Sequence, residues 1–291
     1  MANSIALAKK YVPLLDEVYK NASLTSMLDG NPELAREGAN AGEMCIPKID
    51  MDGLGDYSRA SGYVNGNVSL VWETVKCNFD RGRMFDVDAM DNEESVGLAF
   101  GRLAGEFIRT KVVPELDAFR FATYAGITGI SKVSAGATLA DGAAVIAALR
   151  AATNKMDEDE VSMESRYLFI TPTLMGMVED LDTTKSKEVL ARFASVVRVP
   201  QTRFYTAIDQ LDGSTTGEEK GGYKKATAGK DINFMVLEKS ALIQYPKHVV
   251  PKVISPEQNQ TSDGWKFGYR HYGIADAYEN KVAGIYLHHK E

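Results

Sequence analysis

Residues 80–121 read DRGRMFDVDAMDNEESVGLAFGRLAGEFIRTKVVPELDAFRF. An arginine- and acid-dense turn is expected here, feeding one long amphipathic helix. Asp91 can cap the helix, and Glu94 three residues on completes a capping box. Glu93 and Glu94 then fall in the first turn, where the helix dipole favours negative charge. Val96, Phe100, Leu103 and Phe107 recur at helical spacing, and Ala99, Ala104 and Ile108 widen the stripe. Arg102–Glu106 and Glu106–Arg109 are spaced to pair on the exposed side. Pro114 removes one backbone donor and clashes with the carbonyl four residues earlier. Either the helix kinks there, or it ends near Val113 and Glu115–Tyr124 forms a second piece. With either outcome the segment is long for a globular protein, and it reads as a structural spine.

Upstream, residues 43–79 read as a long β-hairpin. GEMCIPKIDM supplies one strand and VSLVWETVKCNF the other, rich in Val, Trp, Thr and Phe. The glycine-rich connection DGLGDYSRASGYVNGN is longer than ordinary hairpin loops. An isolated ribbon is marginal in water and offers unpaired edges, so something must cover it. A neighbouring subunit is the natural candidate. Cys45 and Cys77 read as small apolar strand residues, with a disulfide across the hairpin as the alternative. Residues 1–40 look like an arm. Ile5, Leu7, Tyr11, Val12, Leu14 and Leu15 supply anchors, and Pro13, Gly30 and Pro32 interrupt regular structure. Such a segment must lie on something else.

Downstream the character becomes α/β. Ala140–Met156 is an alanine-rich helix, followed by the acidic run Asp157–Glu160, read as a solvated turn. Tyr167–Ile170 is a short buried strand. Thr171 can then cap a helix that has Pro172 in its first position. Ser186–Val197 is a further helix candidate, Arg198–Thr206 looks extended, and Ile232–Leu237 is a second buried strand. Residues 212–231 hold five glycines and balanced charge, and read as a mobile exposed loop. The stretch from Trp265 to His289 alternates tyrosines with polar residues and turns at Glu279–Asn280, as a hairpin would.

Composition narrows the function. The 291 residues carry a formal charge of −7, which argues against sequence-independent nucleic-acid binding. Two cysteines fit a reducing compartment. The N-terminal MANSIALAKKYVPLLDEVYK lacks the apolar run of a signal peptide, and no segment has the length of a membrane span. The four histidines have no metal-ligand spacing, and His288–His289 reads as a solvated tail pair. CxxC, GxSxG, P-loop and GxGxxG motifs are absent. Acidic pairs such as Asp86–Asp88 flank a helix start, where dipole and cap account for them. Lys48, Lys76 and Asn280 could in principle form an isopeptide link between subunits, but ordinary solvated lysines are the simpler reading. Neither catalysis nor a cofactor is expected.

The order of parts carries a resemblance. LAKKYVPLLDEVYKNASLTSML lies in the arm and IPKIDMDGLGDYSRASGYVNGNVSLVWET in the hairpin. DRGRMFDVDAMDNEES and VVPELDAFRFATYAG follow in the spine, then YLFITPTLMGMVED, NFMVLEKSALIQYPKH and YRHYGIADAY. Together they resemble the HK97-like major capsid proteins of tailed bacteriophages over nearly the whole chain. The resemblance implies an α+β fold in five parts. These are an N-terminal arm (1–40), an extended hairpin loop (41–84) reaching over an adjacent subunit, and a peripheral-domain spine (85–127). An α/β axial domain (128–247) and a return to the peripheral sheet (248–291) complete it.

It further implies self-assembly as hexamers and pentamers into an icosahedral virion shell built in the host bacterial cytoplasm. The shell would enclose double-stranded DNA without binding it specifically, and no membrane is involved. Only ~40 residues precede the hairpin, so a separate scaffolding protein is expected, alongside a portal and a decoration protein. The family's crosslinking glutamate finds no secure place here. Tyr57, Arg59, Trp72, Asp80, Arg81, Arg83, Glu94, Arg102 and Arg109 are the inter-subunit contact candidates. As ordinary surface charges, each charged one would contribute under about 1 kcal/mol. The alternatives are an encapsulin-type nanocompartment shell, a soluble α/β enzyme with a pocket, and a tail or neck component.

Overall fold

The structure is a computed structural model that describes residues 23–30, 36–37, 43–90, 98–133, 135–181 and 183–291. In chain order its strands and helices begin with β1 (Arg36–Glu37), β2 (Glu43–Met51), β3 (Val68–Lys76) and β4 (Phe79–Asp88). Helix α1 (Leu98–Phe107), one π-helical turn (Ile108–Val112) and α2 (Val113–Gly126) follow. Next come β5 (Ser131–Lys132), α3 (Gly142–Glu158), β6 (Arg166–Ile170), α4 (Pro172–Leu181), α5 (Thr184–Leu190) and β7 (Ser195–Arg198). The chain continues through β8 (Ile208–Leu211), β9 (Gly222–Lys225), β10 (Ile232–Glu238), β11 (Leu242–Ile254), β12 (Gly264–Ala277) and β13 (Ile285–His289).

Two larger sheets share one helical support. A three-stranded antiparallel sheet runs β11-β12-β4, and a five-stranded sheet runs β5-β13-β10-β6-β7. The helix 98–126 spans both, about 43 Å at 1.5 Å per residue. Its earlier half buries Ala104, Ile108, Val113 and Leu116 against Phe79, Phe267 and Tyr269 of the three-stranded sheet. Its later half buries Phe121, Tyr124 and Ala125 against Phe169, Met235 and Leu287 of the five-stranded sheet. Phe121 sits between Phe169 and Phe204, with ring centroids 5.2 and 4.8 Å away. The spine reading therefore holds for the described part of the helix. The capping box at Asp91 and Glu94 lies outside the described residues.

Pro114 neither kinks the helix sharply nor ends it. The turn before it widens, and the Val113 amide reaches back five residues to the Ile108 carbonyl. A π turn relieves the clash that a proline ring creates with the carbonyl four residues earlier.

Strand β10 is buried at all seven positions. Period-two alternation divides it. Met235 and Leu237 face α2, while Phe234 and Val236 face Val145, Leu149 and Met156 of α3. Asp141 caps α3 by accepting the Ala144 amide at 2.7 Å, and Thr183 and Ser186 form a capping box on α5.

Several expectations change. Asp80–Arg83 is not a turn: it lies in β4, paired with β12 from Phe79↔Gly273 to Asp88↔Gly264. Residues 79–84 thus belong to the three-stranded sheet and not to the hairpin. Residues 285–289 do not return to that sheet. Two short 3-10 turns within Glu279–Gly284, separated by a kink at Lys281, carry the chain across, and β13 pairs with β10 and β5. His288 is consequently buried, stacked on Phe234 at 4.9 Å and bonded to Asn233, not solvated. Burial pushes its pKa down to about 4.

The helix expected over Ser186–Val197 stops at Leu190, because residues 195–198 pair in parallel with β6. Within the acidic run, Asp157 holds the buried Arg166 at 2.6 Å. Within 212–231, β9 pairs with the preceding β8 in a two-stranded ribbon, whose loop Asp212 closes by accepting the Ser214 and Thr215 amides. Cys45 faces Thr74 across the hairpin, and both cysteines are free thiols.

Candidate functional site

The hairpin 43–76 has a covered base and an open tip. Met44 and Ile46 pack on Ile243, Tyr245 and Ile274, and the Lys247 ammonium donates to the Glu43 carbonyl. So its own chain covers the ribbon's root, which the sequence did not reveal. Beyond the root the apolar residues find no cover: Leu54 is fully exposed, and Tyr57, Tyr63, Val64 and Val68 are mostly exposed. Tyr57 and Tyr63 meet edge to face at 4.8 Å, presenting one aromatic knob. Trp72 stands opposite Pro47 and is 38% exposed. Arg59 is exposed, and no ion pair forms on it among the described residues.

Along β4 side chains alternate between two faces. Asp80 points away from the helix and takes a two-pronged pair from Arg270 at 2.8 and 2.6 Å, which holds its carboxyl below the usual range. Arg81 points toward the helix. It donates to the Glu115 carboxylate at 2.8 Å, to the Leu211 carbonyl at 2.7 Å and to the Gly222 carbonyl at 3.2 Å. One guanidinium therefore ties β4, α2, β8 and β9 together. Burial pushes the Glu115 carboxyl up, against the pull of Arg81. Arg83 donates to the Glu219 carbonyl at 2.9 Å. A Cβ on Gly221, whose φ is +63°, would lie 2.9 Å from that guanidinium, so glycine keeps the approach open.

The three sequence candidates Asp80, Arg81 and Arg83 are thus engaged within the chain. Arg109 pairs with Glu106 on the helix surface at 2.7 Å, the spacing expected from sequence. Glu94 and the side chain of Arg102 lie outside the described residues.

Between β4, the spine helix and the β8–β9 ribbon lies a cleft of about 1260 Å³. Its floor includes Phe85, Leu103 and Phe107, and its rim includes Arg83, Lys111, Lys220 and Lys224. Sequence reasoning missed Lys220, Tyr223 and Tyr205. Lys220 and Tyr223 come from a ribbon far away in the chain, hinted at only by the cluster KGGYKK, and Tyr205 comes from the segment before that ribbon.

A second cluster fixes residues 23–30. Buried Asp117 accepts from the Ser23 hydroxyl at 2.9 Å, the Thr25 hydroxyl at 2.7 Å and Arg203 at 3.3 Å. Arg120 reaches Thr25 at 2.8 Å and Asp29 at 3.1 Å. Gln244 joins Asp29 to Tyr124 at 2.7 and 2.6 Å. A buried carboxylate needs such partners, and burial pushes the Asp29 carboxyl up. Among the described residues no group of histidines, cysteines and carboxylates is arranged to hold a metal ion. No described helix is long and apolar enough to cross a membrane.

No family model and no curated protein matches the sequence. Solved structures do match in fold. A Mycobacterium phage Che8 structure superposes with TM-score 0.55 at 12% identity, over 91% of this chain and 90% of that one. The capsid of Myoviridae phage XM1 gives 0.53 at 12% identity, over 93% and 92%. The virus-like particle from Pyrococcus furiosus gives 0.57 at 11% identity, over 96% and 99%. The chain has the HK97-like fold.

Proposed function

We propose that this chain is the major capsid protein of a tailed bacteriophage. The observation that carries the reading is the fold, shared with phage capsid structures over about nine-tenths of both chains. The architecture suits a container. A rigid helix braces two sheets, and the long hairpin ends in apolar side chains that its own chain leaves uncovered. The Arg81–Glu115 and Asp80–Arg270 pairs stiffen each copy from within. Tyr57, Arg59 and Trp72 supply contacts between copies. Individually modest contacts become strong when every copy touches several neighbours.

In this reading the chain forms hexamers and pentamers, works with a separate scaffolding protein, a portal and a decoration protein, and resides in the virion after assembly in the host cytoplasm. Residues 1–40 act as an arm, 128–247 form most of the axial domain, and the hairpin is the extended loop. A net charge of −7 keeps the shell from adsorbing packaged double-stranded DNA. A role without catalysis fits this picture. The second reading, weaker than the first, is an encapsulin-type nanocompartment shell.

Negative-stain electron microscopy of the chain tests both, expressed alone and with its genomic neighbours. Closed polyhedral shells support a capsid role, and DNA or protein contents separate virus from nanocompartment. A monodisperse monomer under both conditions overturns the proposal.

A further inference from the structure

We propose that the cleft between β4, the spine helix and the β8–β9 ribbon binds a free long-chain anion, of the class of a fatty-acid carboxylate. The proposal does not depend on the shell reading, because the whole site lies within one chain.

Shape is the first argument. On the helix the lining runs from Leu103 to Glu115, about 18 Å at 1.5 Å per residue, so the cleft is a trough. Its volume of about 1260 Å³ lies above the ~300–1,000 Å³ of compact small-molecule pockets. The floor is apolar and only part-buried. Phe85 and Phe107 meet edge to face at 4.8 Å, and Leu103 lines the same floor. A long hydrocarbon tail can cover such a floor along its length, and every methylene taken out of water there adds to affinity.

Charge is the second argument. Three carboxylates line the trough, and all are engaged. Glu106 accepts from Arg109, Glu115 from Arg81, and Asp212 from the Ser214 and Thr215 amides. Lys224 and Lys225 pair with Glu218 and Asp231. Arg83, Lys111 and Lys220 also line the trough, and among the described residues no carboxylate pairs with any of the three. Arg83 is held in position by its bond to the Glu219 carbonyl at 2.9 Å. In a chain of net charge −7, three uncompensated cations converge on one apolar site. Charge complementarity selects an anion, and the floor selects one with a long apolar tail. A small anion would leave Phe85 and Phe107 wet, and a neutral tail would leave the cations unmatched.

The test is equilibrium dialysis of the dispersed full chain against oleate, below the concentration at which oleate forms micelles. One saturable site per chain is expected, weakening as salt rises. Octanoate should bind at least about tenfold more weakly, having lost most of the tail. Uncharged oleyl alcohol should also bind about tenfold more weakly. Lys111→Glu with Lys220→Glu should weaken oleate binding about tenfold, while Lys111→Arg with Lys220→Arg should retain it. Thr110→Trp, at an exposed position of the lining, should block the trough without touching the core.

Binding that survives both the charge reversal and Thr110→Trp puts oleate elsewhere and overturns the site. Octanoate or oleyl alcohol binding as tightly as oleate overturns the long-chain anion. A peptide of residues 50–68 that displaces oleate and binds more tightly makes a second copy the occupant and overturns the amphiphile. Flotation of the chain with phosphatidylglycerol vesicles, without binding of monomeric oleate, makes a bilayer the source and overturns the free ligand. Absence of saturable binding overturns the proposal and leaves the shell reading intact.

Discussion

Replacing Arg81 with methionine should open the cleft wall and destabilise the subunit in a pH-dependent way. The guanidinium is 26% exposed and its partner Glu115 only 12%. The methionine retains much of the arginine stem's packing but leaves a largely buried carboxylate without its cation. Breaking a buried pair costs roughly 3–5 kcal/mol, and each of the two carbonyl bonds is worth about 1 kcal/mol. Because part of the pair remains in water, the low end applies, about 3 kcal/mol at neutral pH.

The sign of the pH dependence follows from burial. Glu115 has a raised folded-state pKa even with Arg81 present. A raised carboxyl pKa means the folded chain holds the proton more tightly than the unfolded chain. The penalty is therefore absent below the ordinary glutamate value and grows as pH rises through the folded one. Losing Arg81 raises that pKa further. The deficit of Arg81→Met should be smaller near pH 4, where only the lost carbonyl bonds remain, and complete by about pH 7. Urea unfolding of wild type and variant at both pH values measures it. Hydrogen exchange should show 208–225 opening faster, since that ribbon loses two of its ties to β4. Adding Glu115→Gln should return about 1–2 kcal/mol. A loss below about 1 kcal/mol, equal at both pH values, would refute the buried-pair argument.

Other outcomes can be stated briefly. Asp117→Ala strands the hydroxyls of Ser23 and Thr25 and the cation of Arg203; a loss of about 2–4 kcal/mol and rapid protease cutting within 23–30 are expected, and an intact segment would contradict it. Phe234→Ala, between β13 and the α3 face, should cost about 3–5 kcal/mol in urea unfolding. Deleting 53–66 should leave a folded subunit with native circular dichroism that forms no shells in the microscope. Burial lowers the His288 pKa to about 4, so folding loses stability as pH falls from about 6.5 toward that value. His288→Gln should shift the acid unfolding midpoint downward, and an unchanged midpoint would count against the buried assignment.

The parts that sequence revealed were those where one local signal acted alone. The register-rich hairpin strands, the capped α3 and the apolar β6 and β10 all carry their own pattern. β4 was hidden because its inward positions set two arginines between two phenylalanines: Phe79, Arg81, Arg83 and Phe85. An inward arginine is tolerable only because carbonyls and a carboxylate from β8, β9 and α2 meet it, and those partners lie more than thirty residues away. β13 was misplaced because two histidines near a lysine mimic a solvated tail. Asn233 and Phe234, which bury His288, are visible only after the sheet is assembled. The cleft is non-local throughout, so no window of sequence could contain it.

The placement of β13 between β5 and β10 has a consequence for biosynthesis. Ser131 pairs with Tyr286, and β10 waits for Ile285–His289 to occupy its free side. On the ribosome, some ~50 residues separate the two strands. At ~5–20 residues per second, a buried apolar strand edge stays open for several seconds. The nascent chain is most prone to adhere to its neighbours in that interval, before it has a finished subunit's surface. A chaperone that holds this one edge until residues 285–289 have emerged and joined the sheet is therefore expected to raise the yield of folded subunit.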